Sequence, residues 1–180
     1  MKKNTSYQWI VPLILIIFGF SARLLPHPPN FAPIGALALF GGIYLPRRLA
    51  LVIPLGAMIL SDLIIGFYSL PIMLSVYGSF ALMNLIGLWV RGRKRFSTVL
   101  GGTLCGSTLF FLITNAAVWA FSGIYPFTLS GLAQSYIMAI PFFRSTVLGD
   151  LFYVGLLMGS YEYITYWIKH KEAATQTQHI

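Results

Sequence analysis

The chain has 180 residues, 57% of them hydrophobic and 9% charged, against about 25% charged in ordinary soluble domains; its long uncharged runs match lipid and leave no separate soluble domain. The formal net charge is +8, but the basic residues are dispersed between apolar runs instead of gathered on one solvated face with aromatics between them, which excludes a nucleic-acid footprint. The single cysteine, Cys105, lies inside an apolar run, which excludes an intrachain disulfide and a cysteine-cluster metal site and marks it as a packing residue.

A spanning helix needs about 20 mostly apolar residues, and six candidates occur in chain order, at residues 7–25, 31–45, 49–67, 71–90, 97–121 and 141–168. The first has Lys2 and Lys3 ahead of it and Ser21 and Ala22 near its end, the outline of a signal peptide. Phe20 and Arg23 crowd the place of a small-residue cleavage site, so it reads as a retained helix. The stretch "RLLPHPPNFAPIGALALFGG", from Arg23 to Gly42, then joins the first span to the second. Pro26, Pro28, Pro29 and Pro33 stiffen this connection by locking φ, lowering the entropy cost of holding it in place. The second span is the short one, reaching only about 22 Å at 1.5 Å per residue. It must therefore tilt little, thin the bilayer locally or hide an end in protein.

Farther on, "IYPFTLSGLAQSYIMAI" (Ile124 to Ile140) is broken by Pro126 and Gly131 and reads as an interfacial segment ahead of the sixth span. Trp9, Tyr44, Trp89, Trp119 and Trp167 fall near span ends, as an aromatic belt does. Small-residue spacing at Ala38/Gly42 and Gly102/Gly106 lets backbones approach closely, within the chain or against another membrane subunit.

Of the 12 lysines and arginines, all but Arg23 and Arg144 lie before span one, after span two, in "RGRKR" (Arg91 to Arg95) after span four, or after span six. By the positive-inside rule the expectation is an all-α polytopic bundle, residues 1–180 forming one transmembrane domain with both termini in the cytoplasm. "RGRKR" is also placed to meet anionic lipid.

That orientation sets the depth of the polar residues. Asp62 falls in the outer half of span three, Asn84 near mid-membrane and Asn115 near the outer end of span five. Arg144 stands at the outer mouth of span six, with Asp150 about 9 Å further in. Arg23, His27 and Asn30 lie on the same outer side. Intramembrane charges cost at least ~2.5 kcal/mol each and face a bundle interior or wet cavity with partners. Arg23, Asp62, Arg144 and Asp150 make a neutral set, and two readings stay open. They can hold helices in register, with Asn84 and Asn115 as interhelical hydrogen-bond glue. Or, with His27, Asn30 and Trp119, they surround a ligand cavity covered by the proline-rich loop. In the second reading the arginines take acceptor or anionic groups, the aspartates take donors, and Trp119, four residues beyond Asn115 on one helical face, stacks on a planar ring. Glu162 sits close enough to the cytoplasmic end to snorkel.

The opening stretch, "LPRRLALVIPLGAMILSDLIIG" and "YIMAIPFFRSTVLGDLFYVG" together resemble an uncharacterised family of bacterial six-helix membrane proteins. That family in turn resembles the substrate-binding S components of energy-coupling-factor (ECF) vitamin transporters, in size, span number, cytoplasmic termini and the loop after span one. The resemblance implies an inner-membrane protein that binds a vitamin-like small solute beneath loop lids. It also implies docking on a transmembrane coupling subunit driven by ATPases. The chain has no G-x-x-x-x-G-K-[ST] phosphate loop, so ATP hydrolysis would belong to another subunit, and no cofactor is implied. "GALALFGG" only approximates the alanine-rich docking motif of S components.

Three competitors remain. An intramembrane aspartyl protease needs two aspartates sharing a proton; Asp62 and Asp150 supply the carboxylates, but the G-x-G-D pattern is half met at Val147 and Gly149. Metal-dependent hydrolysis lacks an H-E-x-x-H or similar cluster. A solitary carrier built on inverted repeats finds an echo in "ILSDL" and "VLGDL", which lie on oppositely directed spans.

Overall fold

This computed structural model describes residues 7–177; Lys2 and Lys3, and the side chains of Trp9, Lys169 and Lys171, lie outside the described residues. Among those described the fold is all-helical: α1 (Tyr7–Leu24), α2 (Ile34–Tyr44), α3 (Arg47–Ala50), α4 (Val52–Ile65), α5 (Leu70–Val90), α6 (Phe96–Phe121) and α7 (Leu129–Thr177). α3 and α4 meet at Leu51 and act as one rod, giving six rods. Arg47–Ile65, Leu70–Val90, Phe96–Phe121 and Leu129–Trp167 are long and apolar enough to cross a membrane, whereas α2 and the stretch Leu13–Leu24 are shorter apolar helices. Large apolar side chains such as Leu63, Ile64, Leu85 and Leu148 point outward, the arrangement a lipid solvent favours.

The rods alternate in direction. Arg23 meets Ser61 while Gly19 meets Ala57, so α1 and α4 run parallel. Asn84 reaches Ala38 and Gly87 touches Gly42, so α2 and α5 also run parallel. Phe80 stacks on Phe110 and Gly102 abuts Val90, making α5 and α6 antiparallel. Tyr136 bonds Leu112 and Ser107 bonds Asp150, making α6 and α7 antiparallel as well.

α2 is the centre of the bundle. Every residue from Ile34 to Ile43 is buried, as a helix apolar all round requires. With 11 residues it is only about 16 Å long, and of the three ways a short span can be accommodated, enclosure by protein is the one adopted. Close approach depends on its glycines: a Cβ on Gly42 would lie 2.3 Å from the Asn84 carbonyl oxygen, and one on Gly41 2.6 Å from that of Ala50. Gly106 likewise receives Met83, so both small-residue pairs are used inside the chain. At the C-terminal end of α2, Arg91 Nε donates to the Gly42 carbonyl at 2.9 Å and its Nη2 to that of Leu45, capping α2 with a cation where the helix dipole favours one.

One local expectation is corrected. The segment after Pro126 is not a broken interfacial stretch but the first part of α7, which starts at Leu129 and passes through Pro141. Thr128 Oγ1 accepts the Gly131 N–H at 3.1 Å, an N-cap, and Gly131 packs so tightly on Pro126 that a Cβ would fall 2.0 Å from its carbonyl oxygen. Gly131 therefore starts the helix. As a result Arg144 stands 15 residues into α7, about 22 Å along it.

Gly42→Ala should force α2 and α5 apart and lower the thermal midpoint of the purified protein, a cost of about 1–3 kcal/mol. Gly155→Ala, where a Cβ meets nothing within 4 Å, should leave the midpoint unchanged.

Candidate functional site

Because α2 is half-length, its first turn lies deep in the bundle. Gly35 is level with Met83 on α5 and Asp150 on α7, near the middle of both α5 and α6. The column above it is not filled by helix. The proline-rich connection descends into it: Pro28, Pro29, Asn30 and Phe31 form a turn closed by the Phe31 N–H on the Pro28 carbonyl at 3.0 Å. Asn30 has φ +62°, suiting the third position of a type II turn. Phe31 then packs on Phe152 and Tyr153 of α7, and buried Pro33, which has no N–H to leave unsatisfied, starts α2.

Between this loop and the bundle lies a cavity of about 300 Å³. Its polar lining comes from Arg23, His27, Asn30, Tyr68, Thr146 and Asp150, and its apolar wall from Met58, Val76, Phe80, Met83 and Phe110. Arg23 Nη1 lies 2.8 Å from Asp62 Oδ1 and also donates to Ser61 Oγ and, at 3.3 Å, to the Met58 carbonyl. Asp62 accepts the Tyr77 hydroxyl on Oδ2 at 2.7 Å. Asp62 is fully buried behind the wall, so it orients Arg23 and does not itself line the cavity. Asp150 is 4% exposed. Its Oδ2 accepts the Ser107 hydroxyl at 2.6 Å, and its Oδ1 lies where a Cβ on residue 35 would come within 2.4 Å. Only glycine leaves that carboxylate room at the first turn of α2.

Tyr68, in the α4–α5 connection, was not singled out by sequence reasoning, and neither were Ser61, Tyr77, Ser107 and Gly35. Ser61 adjoins Asp62 in the chain, but nothing in the sequence marks the others. Burial first, then the Asp62 carboxylate, with Arg23 opposing, pushes the Tyr68 phenol up to about 12. It is therefore a protonated donor at any physiological pH.

Of the nine sequence-selected residues, Arg23, His27, Asn30 and Asp150 share the cavity, and Asp62 stands behind Arg23. Asn115 borders an adjoining cavity of about 270 Å³ that shares Asn30, Val76, Phe110 and Thr146 with the first; its Nδ2 donates to the Phe111 carbonyl. The remaining three are elsewhere. Asn84 Nδ2 donates to the carbonyls of Ala38 and Ala50, each at 2.9 Å, stitching α2 and α3 to α5. Trp119 donates to the Pro126 carbonyl at 3.1 Å and stacks on Phe127, closing the α6–α7 turn. Arg144 is exposed on α7, lines neither cavity and makes no ion pair among the described residues. The expected neutral set of two arginines and two aspartates is thus one ion pair plus a separate carboxylate.

Asp62 and Asp150 have separate partners, and no hydrogen bond joins them. Among the described residues no group of three His, Cys, Asp or Glu is placed to hold a metal. At the end of the bundle away from the proline-rich loop, Glu162 accepts the Tyr44 hydroxyl at 2.6 Å, with Lys94 over the Tyr44 ring.

The fold and cavity define an all-helical bundle of membrane-crossing character, with a charged cavity set above a half-length central helix. The chain belongs to a family of unknown function, DUF6580, whose model matches residues 3–174. No curated protein and no solved structure matches it.

Arg23→Ala should leave the buried Asp62 carboxylate without its cation and cost about 3–5 kcal/mol, whereas Arg23→Ala with Asp62→Ala together should cost less than either single change; thermal unfolding of the four proteins checks this. For Tyr68 the folded state favours the neutral phenol. Its contribution to stability is whole below pH 10 and fades toward its folded pKa of about 12. The ultraviolet phenolate difference between wild type and Tyr68→Phe should therefore titrate above the ordinary tyrosine range.

Proposed function

We propose that this protein is a multi-pass protein of the cytoplasmic membrane that binds a small solute from the outer side for uptake. The observation that carries this reading is the cavity of about 300 Å³ containing a buried carboxylate and an oriented guanidinium, inside a bundle whose exterior is apolar. Helix glue alone requires polar contacts but no enclosed space between them. Six alternating rods support six crossings with cytoplasmic termini. Arg47, Arg48 and the Arg91–Arg95 turn lie at the bundle end away from the proline-rich loop, which by the positive-inside rule supports a cavity toward the exterior.

The arrangement also suits a subunit of the ECF S-component type, which captures solute and leaves energy coupling to a separate transmembrane subunit and ATPases. A solitary carrier would use the same cavity. An aspartyl protease is less well served, since Asp62 is committed to Arg23 and Tyr77 and the two carboxylates share no contact.

Small molecules and proteins retained by gently purified protein, identified by mass spectrometry, test the reading. A stoichiometric solute, lost or at least tenfold depleted in Asp150→Asn, is expected at about the loss of one charged hydrogen bond. Absence of any solute from both proteins defeats it. ATPase subunits in the same sample would select the S-component form. For orientation, a cysteine at Thr128 should react with an impermeant thiol reagent in intact cells, and one at Gly92 only after permeabilisation. The reverse pattern would place the cavity on the inner side.

A further inference from the structure

We infer that the cavity's ligand is a small organic amine carrying one positive charge, with Asp150 as its counter-ion. This rests on the reading of the cavity as a solute site and names the class of solute. Arg23 is already paired with Asp62 at 2.8 Å, so that couple contributes no net charge. His27 turns Nδ1 to the Pro28 carbonyl and is exposed. Arg144 lies outside the cavity. Asp150 is left, more than nine-tenths buried, with Ser107 on Oδ2 and no hydrogen-bond donor on Oδ1 among the described residues. The first turn of α2 adjoins it, but a helix N-terminus supplies only about half a positive charge. To stay ionised at this depth a carboxylate needs a full counter-charge, without which it takes up a proton, and the side chains lining the cavity provide none that is unspent.

The apolar wall sets the rest of the ligand. Phe80 and Phe110 stack with ring centroids 5.2 Å apart and, with Val76 and Met83, form an apolar side to the cavity. The volume of about 300 Å³ is roughly twice the ~150 Å³ that holds benzene in an apolar protein cavity, room for about a dozen non-hydrogen atoms. An ammonium on Asp150 Oδ1, an apolar or aromatic body along Phe80 and Phe110, and a polar tail toward Asn30 and the Tyr68 hydroxyl fit this lining. A carboxylate or phosphate ligand would meet Asp150 at its deepest point.

Phenethylamine, phenethyl alcohol and hydrocinnamate share one frame and differ in charge, and their binding to wild-type protein in detergent is measured by calorimetry and thermal shift. The amine should bind at least about tenfold more tightly than the alcohol, the equivalent of one charged hydrogen bond, and hydrocinnamate should not bind. In Asp150→Asn, nearly isosteric, the amine and alcohol should become equal. If that variant does not fold, the wild-type series decides alone. Equal or tighter binding of the alcohol or of hydrocinnamate overturns the amine assignment while keeping the cavity as a solute site. If none of the three binds, the charge of the retained solute decides: a cation upholds the inference and an anion or neutral molecule overturns it. With nothing bound and nothing retained, the solute-binding reading falls as well.

Discussion

A helix of 11 residues cannot cross a hydrocarbon layer of about 30 Å, and its terminal N–H and C=O groups cannot face lipid without a cost of several kcal/mol each. The architecture follows from keeping α2 wholly inside. Its flanks are sealed by α5 through glycine contacts with no side chain between the backbones. Its C-terminal carbonyls are taken by Arg91. Its first turn opens on the cavity beside Asp150. Cation at one end and anion at the other match the helix dipole, each worth about 0.3–1 kcal/mol and up to ~2 where partly buried. The cavity is therefore the direct consequence of a central helix that stops halfway.

The two aspartates do different work. Asp62 is ion-paired with Arg23 on Oδ1, accepts the Tyr77 hydroxyl on Oδ2, and ties the end of α1 to α4 and α5. Such a pair stabilises little relative to an apolar replacement, yet losing one partner is expensive, so it holds Arg23 in a single position at the cavity wall. Asp150 has one hydroxyl partner and one open oxygen. Asn84 shows what polar glue looks like here: both contacts of its Nδ2 go to backbone carbonyls in a site without free space. Polar residues in this bundle thus fall into closed contacts and an open one. Of these three residues only the open one, Asp150, lines the cavity.

The loop over the cavity is held by its own covalent chemistry. Four prolines restrict φ, Asn30 takes the positive φ of the turn, and Phe31 anchors the segment on α7. Pro26 to Asn30 are exposed while Phe31 to Pro33 descend, so the loop leads from the surface into the bundle, with His27 and Asn30 lining the cavity.

By itself the sequence determined the solvent class, the apolar runs and the alternation of basic loops, because hydropathy and charge distribution are local properties of the chain. It also singled out Arg23, Asp62, Arg144 and Asp150 as intramembrane charges expected to have partners, an expectation that Arg144, exposed and without an ion pair among the described residues, does not meet. Which partners they found was decided only by tertiary structure. Arg144 reads as a natural mate for Asp150 six residues away, yet six residues on a 3.6-residue helix point to different faces, and it faces outward. Gly131 reads as a breaker because its role as the third residue of a Thr128-capped helix depends on Pro126 folding over it. Tyr77 and Ser107 became site residues through helix register and Tyr68 through the path of the α4–α5 connection, and both are properties of packed backbones that no single stretch of sequence carries.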